Sequence, residues 1–368
     1  MFQTLDLACP QAVAPSAGAI LGRELPPVYS PQARSLVHGR TVLVTGAGGS
    51  IGGELVRQLT GLRAGRVVCV DRDEYALYRL QLGLTGRAML TDDTMILADV
   101  ASAPQMAAVF AEHRPELVFH AAACKQLPLL ERAPAQAIVT NVHGTRTVAA
   151  LAARYRAARF VNISTDKAAN PVSVLGMTKR VAEMAVARGA GSAQTLAASV
   201  RFGNVFASRG SFIETLAHQI SAGLPVTITD PDMARFFMTI PQAAGLVIEA
   251  AVMADNESIF TLDMGEPHSI LEIARRYALL AGIADPEIVC TGRRPGEKLG
   301  EELTGDGEVQ RPTAHPLITA VAKEPGGRAD DLGIGSLVRA AFTGVAPDRL
   351  RSALAELAGA SYLAEASA

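Results

Sequence analysis

Thr41-Val42-Leu43-Val44-Thr45-Gly46-Ala47-Gly48-Gly49-Ser50-Ile51-Gly52 is the stretch on which the fold turns. Its first five residues make a short β-branched apolar run, the mark of a buried parallel strand. Gly46, Gly49 and Gly52 follow at three-residue spacing, and from Gly53 to Leu62 the residues Leu55, Val56 and Leu59 fall on one helical face. The first glycine permits a tight turn, the second lets backbone approach a pyrophosphate, and the third lets the helix pack closely on the strand. The helix N-terminus then offers N–H groups and a positive dipole end to phosphate. A glycine triplet alone says little. With a strand before it and a helix after it, the triplet predicts a dinucleotide site touching Gly46, Gly49, Ser50, Ile51 and Gly52.

The same strand–helix alternation continues downstream. Arg66 to Val70 is a second strand ending at Asp71, about 20 residues past the glycines, where an acid accepts from the adenosine ribose 2′-hydroxyl. That acid repels a 2′-phosphate and favours NAD, while the adjacent Arg72 keeps NADP open. Met95 to Ala98 reads as a third strand. Asp99 and Val100 at its end lie near the adenine, and Asp99 also suits a helix N-cap. Leu117 to His120 is a fourth strand running into Ala121-Ala122-Ala123, small enough to lie against a flat ring. Lys125 and Glu131 follow on the substrate side. A helix is expected over 135–153, with Asn141 as a polar core residue bridging backbone next to the cofactor.

Repetition of this unit from 41 to 163 predicts an α/β fold, a doubly wound parallel Rossmann sheet with a smaller C-terminal substrate-binding lobe. The expected organisation is a lead-in over 1–38 with a short helix at Pro31 to Val37, and a dinucleotide-binding domain over 39–203. A lobe over 204–325 follows, returning to the sheet near 236–265, and a helical tail over 326–368 ends the chain. After Leu196 to Phe202, a sixth strand, Asn204 leaves the sheet. Phe212 to Ala222 reads as a helix, Pro225 to Ile228 and Phe236 to Ile240 as strands, Pro241 to Met253 as a helix, Ile259 to Leu262 as a strand and Ile270 to Ala281 as a helix. Arg293 to Lys298 is a charged loop whose arginines suit a diphosphate, and Pro347 to Leu357 reads as a terminal helix.

Chemistry is expected where the fifth strand, Arg159 to Ile163, ends in Ser164-Thr165-Asp166-Lys167, with a second ammonium at Lys179. Ligands of open parallel sheets bind at strand carboxyl ends. A hydroxyl, a carboxylate and an ammonium stand there side by side.

Composition narrows the classes. The chain has 368 residues, nearly half of them apolar, and a net charge of −2 with acids and bases interspersed. No basic run suggests nucleic acid or an anionic membrane. Cys9, Cys69, Cys124 and Cys290 lack metal-site spacing, so no metal is expected, and this usage fits a reducing cytoplasm. The N-terminus carries Asp6 and no basic flank, unlike a signal peptide. No apolar run approaches the ~20 residues that span a bilayer.

These residues together resemble the polysaccharide-biosynthesis family of nucleotide-sugar 4,6-dehydratases, which are extended short-chain dehydrogenase/reductases. The resemblance runs from about Leu21-Gly22-Arg23 to Glu302. It rests on the Gly46 loop, His120 to Lys125, Asn141 to Thr145, Ser164 to Pro171, Arg201 to Val205, Arg235 to Pro241 and Arg294 to Leu299, seven blocks in order. It implies the catalytic portion of longer, membrane-spanning relatives, helix-mediated homo-oligomers, and dehydration of a nucleotide-diphosphate hexose, most often UDP-N-acetylglucosamine, to a 4-keto-6-deoxy sugar.

By that resemblance Lys167 removes the C5 proton and Asp166 protonates the departing 6-hydroxyl, which requires a neutral Lys167 with a lowered pKa and a protonated Asp166. Lys179 binds the nicotinamide ribose and Thr165 the 4-hydroxyl. Lys125, Asn204, Arg235, Arg294 and Glu297 are the substrate-binding candidates. Short-chain dehydrogenases usually carry Tyr four residues before the active-site Lys, whereas this chain has Leu175, and longer members of the dehydratase family likewise lack Tyr. That leaves Asp166 or a Thr165-water relay to take the 4-hydroxyl proton. A second departure is Cys124-Lys125-Gln126, where the family commonly has an aromatic and a His. A 4-epimerase, a C5-inverting dehydratase and a non-catalytic dinucleotide sensor are the alternatives. The epimerase needs no C5/C6 acid–base pair, and the sensor needs none of Thr165, Asp166, Lys167 or Lys179.

Overall fold

The structure is a computed structural model that describes residues 15–22, 27–189, 194–256, 258–323 and 331–360. The first part of the lead-in with Cys9 and Asp6, Arg23, and the Ala-rich end lie outside the described residues.

Nine strands form one sheet: β1 (Thr41–Thr45), β2 (Arg66–Asp71), β3 (Met95–Leu97), β4 (Leu117–His120), β5 (Arg159–Ile163), β6 (Leu196–Arg201), β7 (Ile259–Leu262), β8 (Glu308–Pro312) and β9 (Ile318–Lys323). Their order is β8-β9-β7-β6-β5-β4-β1-β2-β3. The seven strands from β3 to β7 are parallel, and β9 and β8 are added antiparallel at the far edge. The parallel Rossmann fold expected from the glycine stretch is therefore present. The winding reverses between β1 and β4, paired from Val42–Leu117 to Thr45–His120, and a crevice opens beyond their carboxyl ends.

Apolar strands hold this sheet between two helical layers. On one face Val42 and Val44 pack with Leu55, Val56 and Leu59 of the helix Ser50–Gly61 and with the small residues of Ile240–Met253. On the other, Leu43, Val68, Val118 and Phe160 pack with Met106 and Phe110 of Ala103–His113 and with Val148 and Ala152 of Thr145–Arg154. A third core joins Val174–Gly189 to two C-terminal helices, Asp331–Phe342 and Pro347–Ala358, through Val181, Ile334, Leu337, Leu350 and Leu354. A fourth, separate core fills the small lobe, with Ile213, Leu216, Val226, Phe237 and Tyr277 joined by Ile20 of the early helix Ala17–Leu21. Among the described residues no helix is long and apolar enough to cross a membrane.

Four local departures have physical reasons. The strand expected over Phe236 to Ile240 is split: Ala234–Arg235 pairs with His268–Ser269, while Phe237–Met238 pairs with Asn204–Val205. The helix expected over 135–153 widens into a π segment, Ile138–Gly144, between α-helical pieces. Asp99 does not cap the following helix, whose N-cap is Ser102; its carboxylate instead accepts from the Ala101 N–H at 2.9 Å. The hairpin β8–β9 has no signal in its first arm, a polar, largely exposed segment that is a strand only because it pairs with β9.

Candidate active site

A pocket of about 140 Å³ lies at the crevice between β1 and β4. Gly46, Gly49, Asp71, Arg72, Asp99, Val100, Ala121, Ala122 and Ala123 line it, as the strand-end reading expects, and Thr140 of the π segment, which that reading misses, joins them. Gly46 has φ +66°, and a Cβ there would sit 2.6 Å from the Ala122 nitrogen. A Cβ on Gly52 would sit 2.0 Å from the Gly46 carbonyl oxygen, so only glycine lets the helix start this close to the turn. Asp71 fixes the loop by accepting from the Gly48 N–H at 2.9 Å and the Asp73 N–H at 3.0 Å. Arg72 reaches toward Asp99, 3.8 Å away, and donates to the Cys124 sulfur at 3.6 Å.

Asn141 does not line the pocket. Its side chain is fully buried, accepts from the Cys124 N–H at 2.8 Å and donates to the Cys124 carbonyl at 3.0 Å and the Thr178 hydroxyl at 3.1 Å. It holds the loop after β4 to the helix Val174–Gly189, so it can act on a cofactor only by positioning that loop. π segments recur at functional sites, and this one carries the side chain that fixes the wall.

The pocket continues into a larger cleft of about 560 Å³ between the sheet and the small lobe. Ser50, Ile51 and Gly52 form its floor toward the glycine loop. Thr165, Lys167, Leu175 and Lys179 line it from the sheet side, Lys125 from the loop after β4, and Asn204, Arg235, Arg294 and Glu297 from the lobe. The structure thus gathers these candidates from six chain segments around one space; Asp166, fully buried, is not among the residues that line it. Leu175 places an apolar side chain on that wall.

Asp166 is the hub. It is fully buried, and its Oδ1 accepts from the Thr165 hydroxyl at 2.8 Å, the Lys167 N–H at 2.8 Å and the Lys167 Nζ at 3.0 Å. Its Oδ2 has no hydrogen-bond partner among the described residues and lies 2.8 Å from where a Cβ on Gly203 would stand. Lys167 also lies 3.6 Å from Glu301, a buried carboxyl lining the same cleft that sequence reasoning missed. Burial alone would lower the Lys167 pKa, but Asp166 and Glu301 outweigh it and hold the ammonium above its ordinary range. The lowered Lys167 pKa that a base role requires is thereby corrected: Asp166 and Glu301 hold the side chain as an ammonium.

Lys179 donates to the Ile163 carbonyl at 2.5 Å, and burial, opposed by Glu183, lowers its pKa to about 8. His120, beneath it, sits between the Thr45 and Thr145 hydroxyls at 2.7 and 3.0 Å, and burial together with the Lys179 charge pushes its pKa down to about 3. It is a neutral core histidine.

Other charged residues build the walls. Ser164, the residue before Thr165, donates to Glu183 at 2.6 Å. Arg201 grips Glu183 through two bonds of 2.7 Å and Glu308 of β8 at 2.7 and 3.0 Å, and Arg180 donates to Glu308 at 2.7 Å. This buried network ties the edge hairpin to the turn that carries Thr165. Arg235 gives its donors to the carbonyls of Ala234, Lys298 and Leu299 at 2.7–2.8 Å and so shapes the 294–301 loop. Glu297 accepts from the Arg294 N–H at 3.1 Å in the same loop. Glu131, expected on the substrate side, instead accepts from the Val174 N–H at 2.7 Å at the start of the helix Val174–Gly189. Arg209, also missed, donates to the Gly48 carbonyl at 2.9 Å, and its N–H donates to the Ser50 hydroxyl at 3.0 Å. Among the described residues no group of three or more His, Cys, Asp or Glu is arranged to hold a metal ion.

The model of the family described as polysaccharide biosynthesis protein matches residues 42–323, which carry both the glycine loop and the Asp166 hub. The chain belongs to the polysaccharide biosynthesis protein family. It is 41% identical over 303 residues to the probable polysaccharide biosynthesis protein EpsC of Bacillus subtilis, covering 81% of this chain and 50% of that protein. It is equally similar, at 41% over 274 residues, to the capsular polysaccharide biosynthesis protein CapD of Staphylococcus aureus, covering 73% of this chain and 46% of that one. The chain thus spans about half the length of these relatives. A UDP-glucose 4-epimerase of Rickettsia rickettsii is 32% identical over 74% of this chain and 80% of its own. Among solved structures, Pen of Bacillus thuringiensis superposes with a TM-score of 0.70 at 29% identity, covering 79% of this chain and 88% of that one. A dTDP-glucose 4,6-dehydratase mutant of Streptomyces venezuelae, solved with NAD, shares the fold at a TM-score of 0.63 and 20% identity, over 72% of this chain and 88% of that one.

Proposed function

We propose that this family member dehydrates a nucleotide-diphosphate hexose, UDP-N-acetylglucosamine first among candidates, to the 4-keto-6-deoxy sugar. The observation that carries the reading is the Thr165–Asp166–Lys167 cluster, in which one carboxylate oxygen accepts from both the hydroxyl and the ammonium. An oxidation at C4 followed by elimination across C5 and C6 needs an acid and a base side by side; a 4-epimerase needs no such pair at C5 and C6. Leu175 supports the same choice, because it leaves the cleft without the phenol that epimerases on this framework commonly use.

The pocket residues Gly46, Gly49, Asp71 and Ala121 to Ala123 fit a dinucleotide, with small side chains at a strand-to-helix turn and one carboxylate at the end of β2. Bound there, NAD would supply a hydride acceptor at C4 and a hydride donor at C6. We favour NAD over NADP because the Asp71 carboxylate at the end of β2 would repel a 2′-phosphate, while Arg72, which lines the same pocket, is engaged by Asp99 and Cys124.

The protein's share is proton handling. The 4-hydroxyl proton passes through the Thr165 hydroxyl to Asp166, to which that hydroxyl already donates. Asp166 then holds the proton with which the 6-hydroxyl leaves as water. Lys167 takes the C5 proton and, its N–H protons exchanging with solvent, gives a proton to C5 once C6 is reduced, so the two residues end as they began. Lys179, cationic below about pH 8, stabilises the developing 4-alkoxide. Lys125, Arg294 and Asn204, on the cleft walls, would hold the diphosphate and sugar, with Arg235 and Glu297 shaping the loop between them.

Incubation with UDP-N-acetylglucosamine in deuterated water tests this. Loss of one water with deuterium at C5 is expected, and the C5 coupling constants separate retention from inversion. An epimer formed without water loss would sink the proposal.

A further inference from the structure

The proton scheme leaves one difficulty. Lys167 must be an amine when it takes the C5 proton, yet it is held as an ammonium between two carboxylates. Asp166 cannot relieve this by accepting the Lys167 proton, because the dehydration assigns it the 4-hydroxyl proton. The remaining group in reach is Glu301. Its side chain is 3% exposed, it lines the cleft, and its Oε1 lies 3.6 Å from the Lys167 Nζ.

We propose that Glu301 is the proton partner of Lys167, taking one proton from the ammonium when substrate fills the cleft and thereby freeing the amine that attacks the C5 hydrogen. The inference rests on the dehydratase reading. The step balances: one N–H bond of Lys167 breaks, one O–H bond forms on Glu301, and the ion pair becomes an amine beside a carboxylic acid. At elimination the C5–H electron pair becomes the C5–C6 double bond as the C6–O bond breaks, and Lys167 regains its positive charge. When it gives a proton to C5 it is again an amine, and Glu301 hands back the proton it has kept. Glu301 is a positioning residue for charge, since it acts on the sugar only through Lys167.

The surroundings suit such an exchange. Glu301 is faced by Lys167 and Asp166 from the turn after β5, by Arg235 from the strand Ala234–Arg235, and by Lys298 from its own loop. Burial and the Asp166 charge raise its pKa, opposed by Lys167, Arg235 and Lys298. The carboxyl rises with burial while the amine is held up by the carboxylates. Removing solvent from the cleft weakens the charged pair relative to the neutral one, which favours transfer.

The experiment uses the full chain with NAD and a panel of UDP- and dTDP-hexoses, followed by C5 hydrogen–deuterium exchange and by the near-ultraviolet absorbance of reduced nicotinamide. In Glu301→Gln, C5 exchange and turnover should fall about 10²-fold, the usual weight of a proton-transfer group. C4 oxidation should stay within about threefold of wild type, so that reduced cofactor accumulates. Turnover near wild type, or equal loss of C4 oxidation and C5 exchange in a folded variant, would overturn the proposal. Should Glu301→Gln fail to fold, Glu301→Asp decides: the pH profile of C5 exchange should move while that of C4 oxidation stays, and two unmoved profiles would overturn it. A wild-type enzyme that turns over no sugar of the panel would bring down the dehydratase reading itself, and this inference with it.

Discussion

Replacing Lys179 with Met should abolish turnover and yet stabilise the ligand-free fold. Lys179 is 5% exposed, and burial lowers its pKa from 10.5 to about 8. A lowered pKa on a base means that the unfolded chain binds the proton more tightly than the folded one. The penalty is therefore fully present below about pH 8 and disappears above about pH 10.5. A shift of about 2.5 units at about 1.36 kcal/mol each puts it near 3 kcal/mol at pH 7. By pH 9.5 most of the folded-state ammonium is gone and about 1.4 kcal/mol remains. Met is similar in volume and keeps the packing, but it orphans the Ile163 carbonyl, to which Lys179 donates at 2.5 Å, at a cost of about 1–2 kcal/mol. Lys179→Met should thus be about 1–2 kcal/mol more stable than wild type at pH 7, and that advantage should vanish or reverse by pH 9.5. Chemical denaturation at the two pH values measures both numbers. A variant destabilised at pH 7, or a difference that does not move with pH, would refute the picture of an ammonium held against its solvation for function.

Two further outcomes follow from the same geometry. Glu308 is held down to about pKa 2 because the hydrogen bond and charge of Arg201 outweigh its burial. The stability it contributes is present above about pH 4.5 and lost toward about pH 2, so Glu308→Gln should cost about 3 kcal/mol at neutral pH, a difference that shrinks as wild type and variant are denatured at falling pH. Thr165→Val should cut C4 oxidation by at least about tenfold, read as a slowed rise of reduced nicotinamide in a single turnover; full turnover would rule out the hydroxyl relay.

How much of this was legible in the sequence depends on how local each feature is. The β1 stretch and glycine loop are read within twelve residues, because strand period, turn and helix start are all local. The polar cluster after β5 was legible for the same reason: Thr165, Asp166 and Lys167 are contiguous, and their hydrogen bonds join neighbours. Glu301 was not, since 134 residues separate it from Lys167 and its loop reads as ordinary charged surface. The Arg180–Glu183–Arg201–Glu308 network was hidden in the same way. The weak signal that could have found it is a pair of charges, Arg180 and Glu183, inside a helix whose neighbours are apolar. Asn141 was legible as a polar residue in a core helix, but the π widening around it was not, because no residue there breaks the helical pattern. The polar arm β8 escaped because its strand character comes from pairing with β9 and not from alternation.

The arrangement also argues about why this cleft would favour elimination. An epimerase requires the sugar to turn over between oxidation and reduction while its C5 hydrogen stays put, so a phenol at the position of Leu175 to exchange the 4-hydroxyl proton and an otherwise inert wall suffice. Here the wall opposite the glycine loop is inverted in character. The position of the phenol is apolar, and the same cleft holds an ammonium, Lys167, set 3.0 and 3.6 Å from the carboxyls of Asp166 and Glu301. On the proposed reading, the C5 hydrogen, acidified once a ketone forms at C4, would be lost to the Lys167 amine. On the proposed dehydratase reading, a cleft built this way would make elimination the faster exit from the ketone, and Gly203, where a Cβ would sit 2.8 Å from Asp166 Oδ2, leaves that buried oxygen uncrowded.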